Sequence, residues 1–361
     1  MPDDLRVAVI GYGLAGSAFH APLVDAVEGM RVTAVVTGDA DRAATARERH
    51  PGVVVHGAAD AVFADPGAHD LVVVASPNRF HVEQATAALA AGLPVVVDKP
   101  AAATAAEVRA LAAAAEDAGR MLTVFQNRRW DGDFLTVRRL LAEGALGAVA
   151  RFESRFERGA KPVRARWRAS RDPADLGSIV YDLGTHVADQ AIVLFGRPTE
   201  VSAEALVTRP EIGAVEDATI SLTHEGGVRS YLRASATTVP VAPRFAVAGP
   251  TAGYRCWGMD PQEANSRAGM RPTEPGFGAY GRDGTLITAE GETPVPTQDG
   301  DYLSFYRAVR DCVRGEGEPP VPLADSIALA EVIDAALRSA EQGGPVRLGR
   351  IAGCASRTDA G

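Results

Sequence analysis

The 361-residue chain is poor in cysteine, with only Cys256, Cys312 and Cys354, far apart and without a CxxC spacing. An odd, scattered set of thiols argues against a disulfide framework or a structural zinc site and fits a reducing cytoplasm. No apolar run approaches the ~20 residues of a membrane span. The strand-like run beginning at Leu5 leaves no room for a signal peptide, so the expectation is a cytoplasmic protein without a membrane partner. An excess of basic charge is also missing: 37 basic against 46 acidic side chains give −9, which argues against nucleic acid as a partner. There is no internal repeat and no low-complexity linker. Lysine is the scarcest charge of all. Only Lys99 and Lys161 occur among the 37 basic residues, so a lysine in a suggestive position carries more information here than in an average chain.

What remains is ordinary for a globular protein, with 46 % hydrophobic and 23 % charged residues, and the length suggests two domains. From residue 5 to 125, short Val/Ile/Leu runs alternate with alanine-rich stretches. Strands are expected at Leu5–Ile10, Arg31–Thr37, Val53–Val55, Asp70–Ala75, Pro94–Val97 and Met121–Phe125, and helices over 17–28, 40–49, 79–91 and 104–118, the last with Thr104 as N-cap. Continuous apolar strands separated by helices predict a doubly wound parallel α/β domain. After Phe125 the rhythm changes. A helix over 133–142 precedes the alternating strand 149–157, a helix over 181–195 and strands at 199–207, 217–223, 228–236 and 243–248. Consecutive alternating strands predict a large, mostly antiparallel open sheet with one wet face and helices on the other. The Gly/Pro-rich stretch 258–300 reads as loop, and helices over 301–314 and 323–341 close the fold. The expected domains are 1–125 and 126–349, with 350–361 a disordered tail.

Gly11-Tyr12-Gly13-Leu14-Ala15-Gly16 follows the first strand and opens a helix. GxGxxG alone is a weak signal, but at the first βα turn of an alternating domain it marks a dinucleotide site. The first glycine permits the tight turn, the second lets a pyrophosphate approach the backbone, and the third packs helix on strand. The second strand ends at Thr37 rather than at an acid, with Arg42 five residues on, which favours NADP over NAD. Asp39 and Asp41 nearby are either ribose ligands or N-caps, so NAD stays open. Asp98-Lys99-Pro100 puts one of the two lysines at the carboxyl end of a buried parallel strand, the edge where such sheets bind ligands. A compact ammonium there suits stabilisation of charge on a reacting oxygen. In Tyr181-Asp182-Leu-Gly-Thr-His186 the acid and the histidine stand four apart on one helical face. That spacing lets the carboxylate orient the ring, favour its charged form and support proton transfer. No third metal ligand accompanies them, so no metal is expected.

GYGLAG, DKP and YDLGTHVAD together resemble the Gfo/Idh/MocA oxidoreductases along essentially the whole chain. The runs GYGLAGSAFHAPL, NRRWDGDFLT, VRARWR and YDLGTHVADQ are similar to the branch of NADP-dependent scyllo-inositol dehydrogenases. The resemblance implies a Rossmann domain joined to a domain with a large open sheet often used for oligomerisation, hence a homodimer or homotetramer. It also implies Lys99, Asp182 and His186 as the catalytic set. Asp98 replaces the family's usual glutamate, and Gln126 stands where close relatives often carry histidine. Ser76, Pro77 and Asn78 match the family's segment near the nicotinamide, with His81 either beside it or merely exposed on the next helix. Asn127, Trp167 and Arg168 are further candidate cofactor contacts, and Arg128 a candidate substrate contact alongside Lys99, Asp182 and His186. The expected activity is NAD(P)-dependent transfer of a hydride between nicotinamide and a secondary alcohol or ketone of a cyclic polyol or sugar. Reduction of another carbonyl or an imine on the same scaffold is the nearest alternative, and a non-catalytic dinucleotide-binding sensor is the alternative from another class.

Overall fold

A computed structural model describes residues 4–160, 170 and 172–349. Trp167, Arg168 and Lys161, the VRARWR run and the tail 350–361 lie outside the described residues. The first sheet has six parallel strands: β1 (Leu5–Ile10), β2 (Met30–Val36), β3 (Val54–His56), β4 (Leu71–Val74), β5 (Val95–Asp98) and β6 (Leu122–Phe125). Their spatial order is β3-β2-β1-β4-β5-β6, so the chain reverses its winding between β1 and β4 and leaves a crevice at the carboxyl ends of those strands. The helices α1 (Ala21–Asp25), α2 (Ala40–Arg49), α3 (Asp60–Phe63), α4 (His81–Ala90) and α5 (Ala105–Ala118) lie in the connections. In α5 the alanine run receives a defined start: Thr104 accepts from Glu107 N–H while Glu107 accepts from Thr104 N–H. Such an N-cap is worth about 1 kcal/mol. The helix expected over 17–28 is shorter and begins differently, as a π-helical turn Gly16–His20 followed by α1, which ends at Asp25.

The second half contributes α6 (Gly132–Ala142), β7 (Arg151–Glu157), a second π-helical turn Val180–Gly184, α7 (Thr185–Phe195), β8 (Pro198–Leu206), β9 (Asp217–His224), β10 (Arg229–Ser235), β11 (Phe245–Ala248) and β12 (Gly253–Cys256). Next come α8 (Gln262–Arg267), β13 (Gly284–Thr288), β14 (Gly291–Val295), α9 (Leu303–Val313), α10 (Leu323–Gln342) and β15 (Val346–Arg347). The sheet order is β14-β13-β12-β11-β7-β10-β9-β8-β15, antiparallel except for β7 against β10. Alternation in β9, Asp217 to His224, buries every second side chain, placing Ala218, Ile220 and Leu222 in one core with side chains of α7 and α10, and leaves the others partly wet.

The stretch 258–300 is therefore not all loop, because it holds α8, β13 and β14. Its strands form a hairpin near the edge of the sheet; β14 is mostly exposed and carries Pro294, which suits an edge strand. They bury too few apolar side chains to show the alternation that revealed β9. α9 also departs from simple domain order. Phe305, Tyr306 and Val309 pack under the parallel sheet with Val7, Val9 and Phe125, although they are distant in sequence. The two halves are thereby interlocked. No helix among the described residues is long and apolar enough to cross a membrane.

Candidate active site

A cleft of about 690 Å³ runs along the carboxyl ends of the parallel strands and is walled on its far side by the second half of the chain. At one end lie Gly11 to Ala15 after β1, with Thr37, Gly38 and Arg42 after β2. The three glycines do different work. A Cβ on Gly11 would stand 2.6 Å from the Ala75 carbonyl oxygen, and Gly11 has φ +95°; one on Gly16 would stand 2.0 Å from the Gly11 carbonyl oxygen. Gly13 faces open space up to the Arg42 guanidinium at 3.7 Å. Gly16 thus closes the loop on itself without lining the cleft, and Gly13 leaves the backbone open to a close approach. This cradle fits a dinucleotide. Replacing Gly16 by alanine should cost at least the about 1–3 kcal/mol of an overpacked site. It should also weaken dinucleotide binding, measured together by denaturant melts and cofactor titration.

Asp39 and Asp41 have definite roles. The Asp39 carboxylate accepts from Asp41 N–H and Arg42 N–H, both at 3.0 Å, which makes it the N-cap of α2, and neither acid lines the cleft. The Arg42 Nε sits 3.7 Å from Asp39 in an exposed pair, a weak tie of the kind worth about 0–1 kcal/mol.

In the middle of the cleft, Ser76, Pro77 and Asn78 follow β4. Ser76 Oγ donates to Gln84 at 2.7 Å, and Asn78 Nδ2 donates to the Asp175 carbonyl at 3.0 Å, tying this turn to the facing wall. His81 does not line the cleft and is not exposed. It is fully buried, with its two ring nitrogens on the carbonyls of Pro100 (2.8 Å) and Ser76 (2.9 Å). It staples the turn after β4 to the turn after β5 rather than touching a ligand.

Lys99 reaches across from β5. Its Nζ donates to the Asp182 carbonyl at 2.8 Å and to Asp182 Oδ1 at 3.1 Å, while Lys99 N–H donates to Asp98 Oδ1 at 2.8 Å. The Asp182 carboxylate also accepts from Arg158 at 3.3 Å. His186 lies on the same wall, buried, and its Nδ1 finds no hydrogen-bond partner among the described residues. The expected Asp182–His186 pairing is not made, because Lys99 and Arg158 hold the carboxylate. Burial pushes the His186 imidazole well below its usual 6.5; the charges of Lys99 and Arg128 add to this and outweigh the opposite pull of Asp182. The ring is therefore neutral at neutral pH rather than a standing cation. Val180–Gly184 is a π-helical turn, an element that recurs where helices are distorted to present functional side chains.

Asn127 and Arg128 line the cleft as well. Arg128 is buried, bonded to Asp131 at 2.9 Å and to Glu263, and its guanidinium carbon lies 4.4 Å from the centre of the Phe156 ring. Sequence reasoning missed several cleft residues. Phe156 and Arg158 come from the end of β7, where alternation announced only a strand, and Tyr181 from the helix start already singled out. Glu263 and Arg267 come from α8, inside the stretch read as loop, where no signal pointed to them.

Comparison with other proteins finds relatives for both halves of the chain. Residues 5–126 match the sequence model of the Gfo/Idh/MocA oxidoreductase family's NAD-binding Rossmann fold, and residues 138–348 match that of its C-terminal α/β domain. The chain is 39 % identical over 345 residues to the uncharacterized oxidoreductase YdgJ of Escherichia coli, covering 94 % of this chain and 98 % of that one. It is 33 % identical over 346 residues to the scyllo-inositol 2-dehydrogenase (NADP(+)) IolW of Bacillus subtilis, covering 94 % and 95 %. The solved structure of YPO2259 from Yersinia pestis superposes with a TM-score of 0.90 at 36 % identity, covering 97 % and 99 %.

Proposed function

Because the chain belongs to the Gfo/Idh/MocA oxidoreductase family, we propose that it is an NADP(H)-preferring dehydrogenase acting on a secondary hydroxyl of a cyclic polyol or sugar. The observation that carries the reading is the convergence of Lys99, Asp182 and a neutral His186 at the strand-end edge of a cleft that also holds the glycine loop. When bound there, the nicotinamide supplies the hydride acceptor or donor. The chain's own residues handle the proton and the charge. Neutral His186 takes the proton of the substrate hydroxyl, and the Lys99 ammonium, held by Asp182, donates a hydrogen bond to the oxygen as negative charge grows on it. In the reverse direction the same lysine polarises the carbonyl and the protonated histidine returns the proton. His186 is buried and Lys99 partly so, which strengthens these interactions over their values in water.

The end of β2 supports the preference for NADP(H). Thr37 presents no carboxylate, Asp39 is spent on capping α2, and Arg42 faces the cleft beside Gly13. Its loose pair with Asp39 exchanges readily for a charge-assisted bond to a 2′-phosphate. Arg42→Ala should lose about 1–3 kcal/mol of NADPH affinity and leave NADH binding near the parent's, as read by titrating each into the protein. Equal affinities in the parent would remove this part of the reading. The substrate class is supported by the inositol dehydrogenase among the relatives. It is tested by following NADP+ reduction across inositols, aldoses and their keto forms; turnover of none of them, with an imine or another carbonyl reduced instead, would overturn it.

A further inference from the structure

We propose that Arg267 is a cofactor ligand contributed from the facing wall of the cleft, where its guanidinium closes onto the diphosphate of the bound dinucleotide. The inference rests on the dinucleotide reading above and adds to it a residue outside the nucleotide-binding half. Three observations carry it. α8 lies far from the glycine loop in sequence, yet it packs against the π-helical turn Gly16–His20 that the loop opens. Arg267, the last residue of α8, lines the same cleft as Leu14, Ala15 and Phe19.

The third observation is the state of its charge. Lys99 and Arg158 are committed to Asp182, and Arg128 is buried against Asp131, Glu263 and the Phe156 ring. Arg42 stands beside Gly13, paired only loosely with Asp39, and is already assigned to the 2′-phosphate. Unlike Lys99, Arg158 and Arg128, Arg267 is bound only to Glu263 of its own helix among the described residues, at 2.8 Å, and is 40 % exposed. Glu263 meets Arg128 through its other oxygen. If Arg267 turns away, Glu263 therefore keeps a buried partner, and the pair given up is a half-exposed one within a single helix, worth little. A planar fork that trades this contact for two charged phosphate oxygens gains the stronger bond.

The test is isothermal titration of NADPH, NADH and ADP into the parent, Arg267→Met and Arg267→Lys at several salt concentrations, with a thermal melt of each. All three ligands carry the diphosphate, so Arg267→Met should weaken them alike, by about tenfold. Arg267→Lys should lie between, because it keeps the charge and loses the fork. The salt dependence of binding should flatten in Arg267→Met, and the melts should match the parent's. Unchanged affinities in both variants would overturn the proposal while leaving the dehydrogenase reading intact. A parent that binds neither NADPH nor NADH would overturn both.

Discussion

Lys99→Met is expected to lose about 10²–10³-fold in kcat, the cost of removing one pre-aimed donor from a developing oxyanion, while melting close to the parent. The two halves of this expectation have separate physical grounds. Nζ is aimed by two bonds to Asp182, one to its carbonyl and one to its carboxylate, so no reorganisation is needed when charge appears on the reacting oxygen. Stability is spared because the Asp182 carboxylate keeps Arg158 at 3.3 Å when the ammonium goes, so no buried charge is left without a partner. Lys99→Arg is the more telling variant. A longer, planar fork cannot occupy the point now held by a compact ammonium, and its activity should stay within about tenfold of Lys99→Met. Steady-state rates and thermal melts of the three proteins check this, and near-parent turnover in Lys99→Arg would remove the point-charge argument.

For His186→Asn the expected loss is about 10²–10⁴-fold in the oxidation direction. The parent's pH dependence should carry a signature of the base. The folded-state pKa lies well below 6.5, so the ring is unprotonated at neutral pH and remains so as the pH falls to 6.5. Oxidative kcat/KM should accordingly hold level down to that point and decline only below it, as the proton enters the buried ring. The same sign applies to stability. An unfolded chain protonates this histidine near 6.5 while the folded one resists, so folding loses stability as the pH drops below 6.5. If Asp182 held His186 as a standing cation, the decline would instead begin above 6.5. A pH–rate profile in which His186→Asn loses less than tenfold throughout would remove the histidine from the chemistry.

Much of the nucleotide-binding half could be read from the sequence because its physics is local. Six apolar runs, a capping threonine before an alanine-rich helix and glycines in a strand–turn–helix context each carry their own signal, and Lys99 stood out through the scarcity of lysine. The cleft's far wall was legible only in part. Asp182 and His186 were visible through their spacing, but the same spacing suggested a pairing that the structure does not make. Which side chain a carboxylate meets depends on β5 and β7, far away in sequence, and no local pattern encodes that choice. His81 was ambiguous for a related reason: a histidine at a helix start looks the same whether it faces solvent or staples two buried carbonyls. Glu263 and Arg267 were out of reach altogether. α8 has only six residues, too few for a helical period, and it owes its place to packing against a turn more than 240 residues earlier.

In the proposed reaction a hydride passes from a polyol carbon to a bound dinucleotide while His186 and Lys99 manage the hydroxyl. Its most direct test uses the best substrate of the polyol and sugar panel, deuterated at the carbon that bears the reacting hydroxyl, incubated with NADP+ and the parent protein or Lys99→Met. Deuterium is expected in the NADPH recovered from the parent, in proportion to ketone formed, and about 10²–10³-fold less from Lys99→Met in the same time. Ketone formed without deuterium in the dinucleotide, or equal transfer by the two proteins, would contradict it.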